Sequence, residues 1–171
     1  CERWRRAPSG VNTSSPAPYS LMSAPLFCTM RSDSSRCVLG WIDSRGVGNT
    51  AIVVGMGPIG RDIARLLQAL GLSVIGVRRS AAPEPGFAQV LPYARLEEAL
   101  PRADWLILAC PLTPETRGMI DATRLALLPA GARFINVARG ALMVEPDLIE
   151  ALRSGHLGGA YLDVFATEPL A

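Results

Sequence analysis

The chain has 171 residues, a formal net charge of +2 and 49% hydrophobic residues, enough for one domain core but not for two full domains. No apolar run approaches the roughly 20 residues that span a bilayer, and the 17 basic residues, all arginine, are scattered among carboxylates without a stripe suited to nucleic acid. Cys1, Cys28, Cys37 and Cys110 form no C-x-x-C pair and His156 stands alone, which argues against a metal site or a disulfide framework and for reduced, cytoplasmic thiols.

Residues 1–49 carry clusters such as Ser14-Ser15-Pro16-Ala17-Pro18 and no sustained period of 2 or 3.6, so little packed structure is expected there. The segment is rich in Arg and Ser and poor in acids, as transit peptides are, yet it opens on Cys1. A truncated or misread upstream region accounts for it better, and Trp41-Ile42 can still dock on a core.

From residue 50 onward apolar, β-rich runs alternate with helical patterns. Ala51-Ile52-Val53-Val54 reads as a buried strand. Ile59, Ile63, Leu66, Leu67 and Leu70 then fall at helical spacing, with Gly71 as the left-handed stop. Ser73 to Val77 is a second strand and Trp105 to Ala109 a third, after which Thr113-Pro114-Glu115 can open a helical turn. Asp121 can cap a short helix through Leu125 and Leu128 that ends at Pro129. Arg133 to Val137 is a fourth strand, Pro146 to Arg153 a helix with Gly155 just past its end, and Ala160-Tyr161-Leu162 a fifth strand. Strands alternating with helices predict an α/β domain over residues 50–171, a Rossmann-type doubly wound parallel sheet in three α/β/α layers.

Between the first strand and the first helix stands Gly55-Met56-Gly57-Pro58-Ile59-Gly60, a G-x-G-x-x-G pattern in the context that gives it meaning. Gly55 permits the tight turn, Gly57 lets backbone approach a pyrophosphate, and Gly60 lets helix and strand pack closely. The helix N-terminus then offers free N–H groups and partial positive charge to phosphate. The acid that normally accepts from the adenosine ribose hydroxyls belongs at the end of the second strand. Arg78, Arg79 and Ser80 stand there instead. A carboxylate would repel a 2′-phosphate, whereas guanidiniums and a hydroxyl bind one, so NADP(H) is preferred and NAD(H) remains possible. On this reading Arg78→Asp loses NADPH affinity and spares NADH. The alternative is that Arg78 and Arg79 are solvated residues at a strand end.

Three further segments carry a resemblance. They are Leu108-Ala109-Cys110-Pro111-Leu112-Thr113-Pro114-Glu115-Thr116, the N-x-x-R-G stretch Asn136-Val137-Ala138-Arg139-Gly140, and Asp163-Val164-Phe165-Ala166-Thr167-Glu168-Pro169-Leu170. With the glycine turn they resemble, in order and spacing, the D-isomer-specific 2-hydroxyacid dehydrogenases, glyoxylate/hydroxypyruvate reductases included. The resemblance implies reversible hydride transfer between a nicotinamide and a small 2-oxo or 2-hydroxy acid. It assigns the substrate's carboxylate to Arg139, whose planar fork matches that group, and makes Glu168 the carboxylate that keeps a catalytic histidine protonated. It also implies cofactor contacts at Pro58 and Ile59, at Cys110, Pro111 and Thr116, and at Val137, Ala138, Arg139 and Asp163. Cys110 has no neighbouring base and is expected only to pack, and Val144 stands where the family often has an acid before the next helix.

The histidine partner implied for Glu168 lies some twenty residues beyond it in the family. His156, in a helix-to-strand connection, is not its substitute, so the 171 residues are expected to bind cofactor more readily than they turn over substrate. The resemblance further implies that this domain is inserted between two parts of a substrate domain, neither recognisable here, and that the full-length protein is a homodimer. Two other readings stay open: a dinucleotide-sensing interaction domain of the co-repressor type, and a nonfunctional fragment.

Overall fold

In the computed structural model, residues 27–29 and 50–167 are described. The strands are β1 (Phe27–Thr29), β2 (Thr50–Val54), β3 (Ser73–Arg78), β4 (Gln89–Pro92), β5 (Trp105–Leu108), β6 (Arg133–Asn136) and β7 (Gly159–Leu162). The helices are α1 (Pro58–Ala69), α2 (Leu96–Ala99), α3 (Ala122–Ala126) and α4 (Glu145–Arg153). All seven strands pair in parallel, in the order β1-β7-β6-β5-β2-β3-β4.

The sheet is buried on both faces, as a parallel sheet requires. Along β2 the side chains alternate between two cores. Ala51 and Val53 join Val74, Trp105 and Ile107 beneath Ile63, Ala64 and Leu67 of α1. Ile52 and Val54 join Ile75, Val77, Leu106, Leu108 and Phe134 on the opposite side, where Leu96, Leu125, Leu148 and Leu152 of α2, α3 and α4 cover them. Those two helical layers complete the expected α/β/α arrangement.

Local signals account for the helix ends. Gly71 has φ +84°, the left-handed residue just past the end of α1. Asp121 Oδ1 accepts from the Arg124 N–H at 2.9 Å and so caps α3. Thr113 to Gly118 makes a single turn without continuing as a helix, and its Arg117 N–H donates to the Thr113 carbonyl at 2.9 Å.

Two strands lie outside the five expected. β4 extends the sheet beside β3, pairing Val90 with Gly76 and Pro92 with Arg78. β1 adds an edge beside β7, Phe27 opposite Ala160. Apart from β1, the segment expected to hold little packed structure, Trp41-Ile42 included, lies outside the described residues. Among those described, no helix is long and apolar enough to cross a membrane.

Candidate functional site

The strand order reverses at β2, whose neighbours β3 and β5 leave in opposite directions across the sheet. A crevice opens at the carboxyl ends of the strands at such a point. Here it has a volume of about 400 Å³. Ile59, at the start of α1, forms one wall; Ala109 to Leu112 after β5 and Val137 to Arg139 after β6 form the others.

The glycine turn is built by close approach. Gly55 has φ +102°, and its N–H donates to the Val77 carbonyl at 2.7 Å, tying the turn to the end of β3. A Cβ at Gly55 would lie 2.5 Å from the Ala109 carbonyl and the Cys110 nitrogen, and one at Gly60 would lie 1.9 Å from the Gly55 oxygen. At Gly57 a Cβ would meet no protein atom within 4 Å. The protein thus fills the space at Gly55 and Gly60 and leaves it open at Gly57.

Helix α1 begins directly there, with Pro58 at its first position, no side-chain cap and no acid in its first turn. Its leading N–H groups and the positive end of its dipole therefore face a place where an anion, and no side chain, can satisfy them. Ile59 is 62% exposed although apolar, and lies against the crevice as a flat ligand's neighbour would. These features fit a dinucleotide: Gly57, Pro58, Ile59 and Gly60 would hold its pyrophosphate.

The second wall rests on Thr116. That residue is buried, and its hydroxyl donates to the Pro111 carbonyl at 2.7 Å while accepting from the Thr113 N–H at 2.8 Å. The structure therefore sets Thr116 behind the wall, shaping the Pro111–Leu112 surface rather than facing the crevice. Cys110 is also buried, and that burial pushes its thiol up to about 11, so it stays neutral and packs.

The third wall is organised by Asn136, which is fully buried. Its Nδ2 donates to the Arg139 carbonyl at 2.9 Å and its Oδ1 accepts from the Ala138 N–H at 3.0 Å. One side chain thereby fixes the loop that lines the crevice and carries Arg139. The Arg139 side chain is exposed, and its Nη1 donates to the Ala138 carbonyl at 2.6 Å. Behind it Gly140 packs on the segment after β7: a Cβ there would come within 2.1 Å of the Phe165 carbonyl. The Asp163 N–H donates to the Asn136 carbonyl at 3.0 Å. Arg139 and Asp163 are thus anchored to one another through Asn136; Glu168 lies outside the described residues.

Arg78 is the last residue of β3, and Arg79 and Ser80 follow it, but the two arginines differ. Arg78 Nη1 is paired with Glu84 at 2.9 Å, while Arg79 is 80% exposed with Glu115 at 3.8 Å. Glu84 also takes a hydrogen bond from Arg61, and that bond holds its carboxyl below the ordinary range. His156 is elsewhere: its ring Nε2 lies 3.1 Å from the Leu125 carbonyl, in a groove between α3 and α4. Sequence reasoning missed Ala109 and Leu112 in the crevice wall, Asn136 as its brace, and the Arg61–Glu84–Arg78 cluster.

Comparison with known proteins agrees with this geometry. Residues 41–171 match the family described as D-isomer specific 2-hydroxyacid dehydrogenase, NAD binding domain. The D-3-phosphoglycerate dehydrogenase of Mycobacterium leprae is 42% identical over 122 residues, which are 71% of this chain and 23% of that protein. Among solved structures, a D-isomer specific 2-hydroxyacid dehydrogenase from Xanthobacter autotrophicus Py2, in complex with NADPH and MES, superposes with a TM-score of 0.68 at 43% identity. That match covers 72% of this chain and 51% of the other. The NADPH-dependent glyoxylate/hydroxypyruvate reductase of Sinorhizobium meliloti, in complex with NADP and sulfate, gives 0.67 at 44% identity over 72% of this chain and 40% of that one. The chain thus spans about a quarter of the length of its curated relatives, and these dehydrogenases and reductases do not favour the co-repressor reading.

Proposed function

Because this chain belongs to the D-isomer specific 2-hydroxyacid dehydrogenase family, as its NAD-binding domain, we propose that residues 50–171 bind NADP(H) in preference to NAD(H). They form the cofactor half of an oxidoreductase acting on a small 2-oxo or 2-hydroxy acid such as glyoxylate or hydroxypyruvate. The observation that carries the preference is the end of β3. Residues 78–80 include no acid to accept from the ribose hydroxyls, the nearby Glu84 and Glu115 are each paired with an arginine, and Arg79, 80% exposed, offers an unburied guanidinium beside Ser80. The NADPH-dependent reductase of Sinorhizobium meliloti, described in complex with NADP, supports it.

Bound in the crevice, the nicotinamide would donate hydride to, or take it from, the carbon bearing the substrate oxygen. The chain's own residues bind and orient. Arg139 presents a permanently charged planar fork to the substrate carboxylate, and Asn136 keeps the loop of that arginine in place. Val137, Ala138, Cys110 and Pro111 shape the apolar wall that excludes water from the ring, and Asp163 stands at the same strand ends. Glu168 is the residue to support a catalytic imidazolium. His156 is engaged between α3 and α4 and does not supply it. We take the full-length protein to be a homodimer, as the family resemblance implies, and to be cytoplasmic, as its cysteine pattern without a C-x-x-C pair suggests.

Fluorescence titration of the chain with NADPH and NADH tests the preference. Tighter NADPH binding is expected; equal affinities, or tighter NADH, would overturn it.

A further inference from the structure

The two arginines at the end of β3 do different work. Arg78 donates Nε to the Ser80 carbonyl at 3.1 Å, Nη2 to the Ala82 carbonyl at 2.6 Å and Nη1 to Glu84 Oε2 at 2.9 Å. Its guanidinium spans the turn that leaves β3, and only 24% of its side chain is exposed. Glu84, at 14% exposure, is held from the other side by Arg61, through Nε and through Nη2 at 3.3 Å. Arg61 follows Gly60 in the first turn of α1. A single carboxylate therefore ties the turn after β3 to the helix whose start would take the pyrophosphate.

We propose that Glu84 is a positioning residue for cofactor selection, locking Arg78 across the turn so that Arg79 and Ser80 face the 2′-phosphate of a phosphorylated dinucleotide. The proposal rests on the NADP(H) reading above. It reassigns Arg78: three of its five N–H groups are spent on the turn, and a fork so occupied is a brace, not a free phosphate ligand. The gain is preorganisation, because a turn already fixed loses little conformational freedom when the ligand arrives.

Charge and position predict opposite signs, which makes the test decisive. Removing the Glu84 charge leaves the edge more positive, so by Coulomb attraction alone Glu84→Gln tightens NADPH. If Glu84 positions the turn, Glu84→Gln instead weakens NADPH by about tenfold, the scale of one charge-assisted hydrogen bond, and leaves NADH within about twofold. In an Arg79→Ala background the same change then adds little, since the two residues act through one contact.

The measurement is NADPH and NADH titration of the full chain for wild type, Glu84→Gln, Arg79→Ala and the double variant, with thermal unfolding to confirm folding. Glu84→Asp, which keeps the charge and shortens the reach, is the second variant should Glu84→Gln not fold; it too is expected to lose NADPH selectively. NADPH binding that is unchanged or tighter, or an equal loss of both cofactors, overturns the proposal. A wild-type chain without preference overturns the underlying reading instead, and shows this before any variant is compared.

Discussion

Asn136 is the side chain on which the crevice loop depends, and its replacement has a calculable cost. Asn136→Ala removes hydrogen bonds at 2.9 Å and 3.0 Å from a fully buried position. Each contributes about 1 kcal/mol net, and of the two partners orphaned only the Ala138 N–H is counted as left unsatisfied, costing a further ~1 kcal/mol at the low end of the range. The low end applies because Ala138 is half-buried and Arg139 exposed, so water reaches part of the loop. The sum, about 3 kcal/mol, lowers Tm by roughly 10 °C in a domain of this size. NADPH affinity falls too, since Val137 and Ala138 line the crevice. Asn136→Asp is expected to be no better: it keeps the acceptor for the Ala138 N–H but faces a carboxylate to the Arg139 carbonyl. Thermal unfolding followed by NADPH titration is the assay. A fall in Tm of under about 2 °C for Asn136→Ala, with cofactor binding intact, would refute the bracing role.

Other outcomes follow from the same geometry. Gly57→Ala meets no protein atom within 4 Å, so Tm holds while NADPH binding weakens; Gly60→Ala, 1.9 Å from the Gly55 oxygen, loses stability and cofactor together. A Gly57→Ala protein that binds as wild type would refute the open-cradle assignment. Burial raises the Cys110 thiol to about 11, so the thiolate that alkylates is scarce at pH 8, and peptide mapping after iodoacetamide should find Cys110 labelled only in denaturant. For Glu84, the Arg61 hydrogen bond sets the folded pKa below the ordinary 4.5. Its contribution to stability is therefore present above that value and lost as pH falls through the depressed one. The Tm gap between wild type and Glu84→Gln should narrow as pH falls below 4.5; a gap that does not change with pH across the acid range refutes the linkage.

The five inner strands and the glycine turn were legible because each is a local signal: an apolar run, or glycines at set spacing beside a strand. β4 was not, since only Leu91 of its four residues is buried and it closes on Pro92. Thr116 reads from sequence as a crevice residue, but its hydroxyl turns inward to the Pro111 carbonyl, a choice made by the fold of the turn. The Arg61–Glu84–Arg78 cluster was hidden for a different reason. Glu84 sits in Ala81-Ala82-Pro83-Glu84-Pro85, which reads as loop, and its partner Arg61 stands 23 residues earlier on another element. Asn136 was visible as a motif residue, while its work, satisfying one backbone donor and one backbone acceptor, appears only in three dimensions.

The contact of Gly140 with the Phe165 carbonyl leaves no room for a side chain between the arginine loop and the stretch after β7. That stretch is also held by Glu145, whose Oε2 accepts from the Ala166 N–H at 3.3 Å. Two motifs more than twenty residues apart thus share one surface and act as a single mechanical part. Transplanting the arginine loop from a relative would bring in a mismatched half of that part, so the smallest unit that can be exchanged between such proteins runs from β6 through the end of the Phe165 segment.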